Sequence, residues 1–344
     1  MNYTKTANVS SKILTIIVPA YNMEWCLEKN LMTYVSPLLE KKLSVIVLDN
    51  SSSDNTFNIA KNFEEKYPAV FKAIKKENNG YGSSVNLGMS LADGKFFRVI
   101  DADDCADTDA LIKFVEHLSH CYSDVVQTPY SIIDIKTGDS KRINLDTDFE
   151  KTQPIIYAEK QAPFPSLHTT TLRTDFYQKH RFTLLENAYY VDEEWSIYPF
   201  FNAETICAYD DAVYCYHINN DGQSISVKNK VKNLMHRDRI VKQMMQLYDG
   251  SALEPDNARF CFRRIARTVG DHFTTLYILH DDKKEGRRIA KEFLAYVKEN
   301  HFPFYCAVRK KRFLLSVLNR LHVGIPIYER LKKFFGYKEH SSIC

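Results

Sequence analysis

The sequence predicts an α/β fold: a mostly parallel central sheet with helices on both faces, followed by a helical region. Three observations predict it. Short apolar runs alternate with longer amphipathic ones through roughly the first hundred residues. The apolar runs are near-continuous, as strands buried on both faces require. Polar loops rich in Asp, Asn and Ser follow the carboxyl ends of these runs, where open α/β sheets place their ligands.

Leu14 to Val18 (LTIIV) reads as the first strand, and Met23 to Leu39 as a helix ending near Pro37. Ser44 to Leu48 (SVIVL) is a second strand. A helix follows from about Asp54 to Tyr67, with Asp54 as its N-cap and Pro68 just beyond it. Val70 to Lys75 reads as a third strand, Ser83 to Ala92 as a helix and Phe96 to Ile100 as a fourth strand. The sheet continues with Asp124 to Thr128, and Thr137-Gly138-Asp139 marks a hairpin. Residues 150–225 are irregular and aromatic-rich. Residues 228–248, 255–280 and 284–299 are helical by pattern, broken at Gly250, Pro255 and the Asp281-Asp282 pair. Two domains are expected: 1–226, and a helical 227–344 ending in a basic amphipathic tail.

Composition narrows the class. The chain has 344 residues, 44% of them hydrophobic and 26% charged, which is ordinary for a soluble globular protein. A net charge of +3 gives no electrostatic argument for a nucleic-acid partner. The eight cysteines form no C-x-x-C pair and none of the usual zinc spacings, so they read as reduced, mostly structural thiols. Met1 to Lys12 lacks the apolar core of a signal peptide, and no stretch approaches a membrane span. A cytoplasmic protein is expected.

Directly after the fourth strand, Asp101, Asp103 and Asp104 put three carboxylates within four residues. In a D-x-D turn two side chains can approach one hard divalent cation, which in turn holds a diphosphate. An isolated run of this kind is more often a solvated turn that caps the next helix. This one follows two other polar loops at strand ends, Pro19 to Asn22 (PAYN) and Asp49 to Asp54 (DNSSSD). Three such loops can line one crevice. Tyr21 offers a wall for a nucleotide base, Asp49 an acceptor for a base N–H, and Asp103 with Asp101 a cation site. The glycine-rich run from Asn78 to Gly88 is not a G-x-G-x-x-G fingerprint, because Val85 stands where the third glycine belongs. It reads either as a loop that lets backbone approach a ligand and then opens a helix, or as a structural turn.

The order VPAYN (18–22), VLDNSSSDNT (47–56), NNGYGSSVNLGMSLADGKFF (78–97) and VIDADD (99–104) resembles the family-2 glycosyltransferases. The resemblance implies the GT-A fold, a nucleotide-sugar donor and, usually, inversion at the anomeric carbon. It implies a nucleotide-sugar half at about 12–105 and an acceptor half at about 106–226. Pro19, Tyr21 and Glu24 would surround a uridine, Glu24 lying near the ribose, and Asp49 would read the base. The family usually carries an acid and a glycine where this chain has Asn50 and Ser51. Asn79, Gly80 and Asn86 match the loop and helix start beside the sugar phosphates. Asp101 and Asp103, with Ala102 between them, match the metal-binding motif for Mn²⁺ or Mg²⁺, Asp103 being the favoured direct ligand.

Inversion also needs a base to take the acceptor's proton. The family carries it in an E-D-x-x-(Phe/Trp) pattern, and Asp192-Glu193-Glu194-Trp195 fits D-x-x-W with Val191 in place of the preceding Glu. Asp192 is the expected base, Glu193 and Glu194 the alternatives; a helix N-terminus would favour the same acids through its dipole alone. Tyr214 to His217, followed by Asp221 to Ser226, resembles the segment that closes over the donor diphosphate. His217 is therefore a further metal or phosphate candidate, and a surface or packing role is equally open. His168 is a weaker acceptor-side candidate.

From Cys306 to Lys338 there are nine Lys/Arg and one acid, Glu329, with Phe313, Leu314, Val317, Leu318 and Leu321 at helical spacing. This segment fits either packing onto the domain or contact with an anionic membrane surface, where a lipid-linked acceptor would be found. The reading is thus a metal-dependent inverting transferase acting on a UDP-sugar and a glycan or lipid-linked hydroxyl. A sugar-nucleotide pyrophosphorylase would need a G-G-x-G-T-R-like loop after the first strand, where PAYN stands. A non-catalytic nucleotide-sugar or glycan-binding protein is disfavoured by the acids at 49, 101, 103 and 192.

Overall fold

The computed structural model describes residues 12–160, 164–219 and 227–334. By packing, the chain forms two compact units: Met1–Gln153 with Leu167–Glu186 and Thr205–Asn219, and Pro154–Ser166 with Asn187–Glu204 and Asn220–Cys344.

The first unit is built on β1 (Leu14–Ala20), β2 (Leu43–Asp49), β3 (Phe71–Lys75) and β4 (Phe96–Val99). It continues with β5 (Cys105–Ala106), β6 (Val125–Gln127), β7 (Tyr130–Asp134), β8 (Ser140–Ile143), β9 (Gln153–Pro154), β10 (Thr170–Arg173), β11 (Thr205–Ala208) and β12 (Tyr214–Ile218). The large sheet runs β3-β2-β1-β4-β10-β6-β11-β9, and a small one runs β5-β12-β7-β8. β1 pairs in parallel with both β2 and β4. Every residue of β1 is buried, including its one polar side chain, Thr15, whose hydroxyl donates to Asp93 Oδ1 at 3.0 Å. β10 enters antiparallel between β4 and β6. The expected hairpin is present: β7 and β8 pair antiparallel, and Gly138 turns the chain with φ +79°.

The helices of this unit are α1 (Leu27–Met32), α2 (Thr56–Lys66), α3 (Gly80–Leu91), α4 (Thr108–His120) and α5 (Thr174–Lys179). The long helix expected over 23–39 is a correction: α1 stops at Met32, before β-branched Thr33 and Val35 and then Pro37. The N-cap of α2 is Asn55 rather than Asp54, which stands one residue earlier and accepts from Thr56 N at 3.0 Å through its Oδ1. α3 lies directly on β1, since a Cβ on Gly88 would meet Ile17 Cγ2 at 2.3 Å.

The second unit holds α6 (Val191–Trp195), α7 (Val227–Lys232), α8 (Leu234–Asp249), α9 (Pro255–Thr274), α10 (Lys283–Asn300), α11 (Phe302–Arg320) and α12 (Ile325–Phe334). α9 begins with Pro255 in its first turn and runs on as a π-helical turn to Leu279. Asp282 caps α10, accepting from the N–H groups of Lys284 and Glu285 at 2.8 and 2.9 Å. Residues 155–160, 164–166 and 187–204 belong with these helices in the second unit. Phe200 lies 4.7 Å from Phe260, and Asn257 Nδ2 donates to the carbonyls of Phe200 and Ala203 at 2.9 and 2.8 Å. The packing division therefore interleaves along the chain. Among the described residues, no helix is long and apolar enough to cross a membrane.

Candidate active site

Ala20 is in register with Asp49, and Ile17 with Val99, so β1, β2 and β4 end on the same edge of the sheet. The loops after them, carrying Tyr21, Asn50 and Asp101, therefore emerge together. The first two are tied by local hydrogen bonds. Asn22 N donates to Ser52 Oγ at 2.9 Å, Ser53 N to Asn22 Oδ1 at 2.9 Å, and Met23 N to Thr56 Oγ1 at 2.7 Å. Glu24 N donates to Asp54 Oδ2 at 3.1 Å, while Glu24 Oε2 accepts from Asn55 N at 2.8 Å. Glu24 thus secures the start of α2. Pro19 is buried beneath the loop, and Tyr21 stands half exposed above it.

Asp49 is fully buried at the loop floor, with Ser52 N 3.3 Å from both carboxylate oxygens. Ser51 has φ +59°. That left-handed backbone favours glycine and explains why a glycine suits this position. Asn50 does not simply replace an acid: its side chain donates to Asn78 Oδ1 at 2.8 Å and accepts from Lys76 Nζ at 2.9 Å. Lys76 also donates to Ser83 Oγ at 2.7 Å, joining this loop to α3. Burial draws the Lys76 pKa below the usual lysine value.

The acid turn divides its labour. Asp104 is buried; its Oδ2 accepts from the Tyr214 hydroxyl at 2.6 Å and its Oδ1 from His217 N at 2.7 Å. Burial, with Asp103 and Asp101 close by, holds its carboxyl well above the usual range. Asn30 Nδ2 on α1 donates to the carbonyls of both Asp101 and Asp104, at 3.0 and 2.8 Å. Asp101 and Asp103 are half-buried, with buried Ala102 between them, and Asp101 Oδ1 accepts from the Tyr81 hydroxyl at 2.5 Å. His217 is buried, its Nδ1 2.9 Å from the Asp103 carbonyl and its Nε2 3.7 Å from Cys105 Sγ, so both ring nitrogens are engaged within the protein. Residues 221–226, expected beside it, lie outside the described residues.

Asn79 precedes α3 and Gly80 opens it with φ +81°. Asn86 faces another segment: its side chain donates to the Leu184 carbonyl at 2.9 Å and accepts from Leu184 N at 2.8 Å. Gly82 admits the same segment, since a Cβ there would sit 2.3 Å from the Leu185 carbonyl oxygen. His168 is no surface group. It is buried among Tyr130, Tyr214 and Tyr216, and burial, with Arg98 nearby, pushes its pKa down to about 3. Asn30 and Lys76 were missed by sequence reasoning, and Tyr81 and Tyr214 stood inside quoted motifs without an assigned role. Of the missed pair only Asn30 carries a visible signal, as a polar residue on the buried side of α1.

In the second unit, the three acids of α6 have separate environments. Glu194 is fully buried and accepts from the Tyr198 hydroxyl at 2.6 Å. Glu193 pairs with Arg237 at 2.8 Å, yet burial outweighs that partner and raises its pKa to about 7. Asp192 is half-buried, and burial raises its pKa as well. Tyr190, with φ +69°, and Trp195, fully buried, flank them.

The family model described as Glycosyl transferase family 2 matches residues 15–181. This segment is a family 2 glycosyltransferase domain. Minor teichoic acid biosynthesis protein GgaB of Bacillus subtilis (strain 168) is 27% identical over 175 residues, covering 49% of this chain and 19% of GgaB. The poly(ribitol-phosphate) beta-N-acetylglucosaminyltransferase TarS of Staphylococcus aureus (strain MW2) is 24% identical over 222 residues, 62% of this chain and 36% of TarS. The chain therefore matches well under half the length of these relatives. The crystal structure of S. aureus TarS 1-349 in complex with UDP-GlcNAc has a TM-score of 0.62 and 17% identity, covering 90% of this chain and 92% of that one. The GT-A fold expected from the motifs is thus the fold found. The glycosyltransferase domain is related to enzymes of teichoic acid biosynthesis.

Proposed function

We propose that this chain moves a sugar from a uridine diphosphate sugar to a hydroxyl of a cell-surface glycan or lipid-linked acceptor, with inversion at the anomeric carbon. The observation that carries the reading is the split within the acid turn. Asp104 is spent on holding β12, while Asp101 and Asp103 stand half-buried at the edge where the Tyr21 and Asp49 loops emerge. The donor set suits a hard divalent cation, Mn²⁺ or Mg²⁺. No group of three or more His, Cys, Asp or Glu side chains that could hold a metal occurs among the described residues. Two carboxylates are the usual protein share when the substrate's phosphates and water complete the shell. Asp103 and Asp101 would hold the cation, which when bound would offset charge on the departing diphosphate.

In this reading Tyr21 stacks on the base, Asp49 accepts from it, and the Asn79-Gly80 start of α3 faces the phosphates. Asp192 takes the proton of the acceptor hydroxyl as its oxygen bonds to the anomeric carbon and the bond from that carbon to the diphosphate oxygen breaks. A half-buried carboxylate with a raised pKa is a better base than a solvated one. The names of GgaB and TarS favour a polyol-phosphate polymer of the teichoic acid type as acceptor. The test is a panel of nucleotide sugars assayed for Mn²⁺-dependent release of the nucleoside diphosphate. One UDP-sugar should dominate, and Asp103→Asn should abolish its turnover; wild-type release by that variant would overturn the reading.

A further inference from the structure

We propose that the outer face of α11, continued onto α12, docks on an anionic lipid surface. The two faces of α11 are sharply different. Phe304, Val308, Leu315 and Asn319 are buried on one side. On the same side the Lys311 ammonium pairs with Asp271 at 2.6 Å, its stem lying against Gly270. One hundred degrees per residue brings Phe302, Cys306, Arg309, Lys310, Phe313, Arg320 and Leu321 onto the opposite side, with Leu314 at its margin. All of these are exposed. Phe313 is 64%, Leu314 56% and Leu321 69% exposed, and Ile327 on α12 is 54% exposed. Exposed Arg330 and Lys333 extend the basic side along α12.

Large apolar groups interleaved with cations on one helix face are the arrangement of a helix lying in the headgroup plane. The rings and aliphatic chains enter the acyl boundary while Lys and Arg meet anionic headgroups. From Arg309 to Lys333 the sequence holds eight Lys/Arg against one acid, Glu329. That balance selects the occupant. A second copy seated on this face would oppose cation to cation, because a two-fold contact brings a patch against itself. An anionic bilayer supplies the missing charge and the apolar layer together. The inference does not depend on the proposed transfer reaction.

The test is co-sedimentation of the intact chain with vesicles, at about 0.1 M salt, where charge attraction persists. Vesicles of phosphatidylglycerol and phosphatidylcholine should bind it, and phosphatidylcholine alone should not. The triple change Arg309→Glu, Lys310→Glu, Arg320→Glu should weaken binding by about tenfold or more. Phe313→Ser with Leu321→Ser should do the same, with nucleotide-sugar turnover unchanged in solution. Each variant is checked by its melting temperature, and the charge reversals leave the apolar face intact should the serine pair misfold. Equal binding to both vesicle types, no binding, or wild-type binding by the charge-reversed chain would each overturn the proposal. So would a dimer in sedimentation velocity that the serine pair abolishes.

Discussion

The Tyr214 hydroxyl donates to Asp104 Oδ2 at 2.6 Å across 110 residues of sequence. This bond joins the small sheet to the acid turn at the end of the large one, and it fixes which carboxylate of the turn faces inward. Tyr214→Phe should destabilise the chain by about 1–3 kcal/mol, because buried Asp104 loses a partner. It should also raise the Mn²⁺ concentration for half-maximal turnover several-fold at little loss of maximal rate. Thermal melts and a metal titration check both.

Arg98 is fully buried on β4, donating to Thr128 Oγ1 at 2.9 Å, Thr171 Oγ1 at 3.3 Å and the His168 carbonyl. Its planar fork spreads these bonds over two nitrogens, Nη1 to the threonines and Nη2 to the carbonyl, a spacing that the single nitrogen of a lysine lacks. Arg98→Lys should cost about 2 kcal/mol or more of stability, seen as a lowered melting temperature.

Glu193 and Asp192 should separate by assay. Asp192→Asn should lower transfer by about 10²–10⁴-fold while leaving donor affinity intact, measured by kinetics and by nucleotide-sugar titration. Glu193→Gln should keep most of the activity; loss of transfer in that variant would move the base to Glu193.

Glu193 also predicts a pH dependence. Its folded pKa, about 7, lies above the usual glutamate value, so the folded chain holds a proton that the unfolded chain has released. Its contribution is fully present below about pH 4.3 and is lost as pH rises through about 7, by roughly 3–4 kcal/mol in all. Glu193→Gln should flatten this part of the stability profile in denaturant titrations between about pH 4 and 8.

Gly82→Ala would drive a methyl group into the Leu185 carbonyl. It should displace residues 184–186 and lower stability by about 1–3 kcal/mol. Asn86→Ala removes both bonds to Leu184 and should act in the same direction, measured by chemical denaturation.

Much of the first unit is legible in the sequence because its signals are local. Buried parallel strands are continuous apolar runs, and the loops that follow them carry their own polar chemistry. The helix over 23–39 was overdrawn because apolar periodicity persists through Thr33 and Val35, where the chain already turns. Asp104's inward role was invisible, since its partners Tyr214 and His217 come from a distant strand. Asn86 read as a ligand contact because nothing local reveals that Leu184 occupies its amide. The aromatic stretch 187–204 gave no period to follow, as its side chains are sorted by packing around α9 rather than by a repeat.

The chain passes from one packing unit to the other after Gln153, Ser166, Glu186, Glu204 and Asn219. Such a polypeptide is stitched rather than strung. A cut at any single point leaves segments of one unit stranded on the other, so neither can be expressed alone as a contiguous fragment or traded between relatives as a cassette.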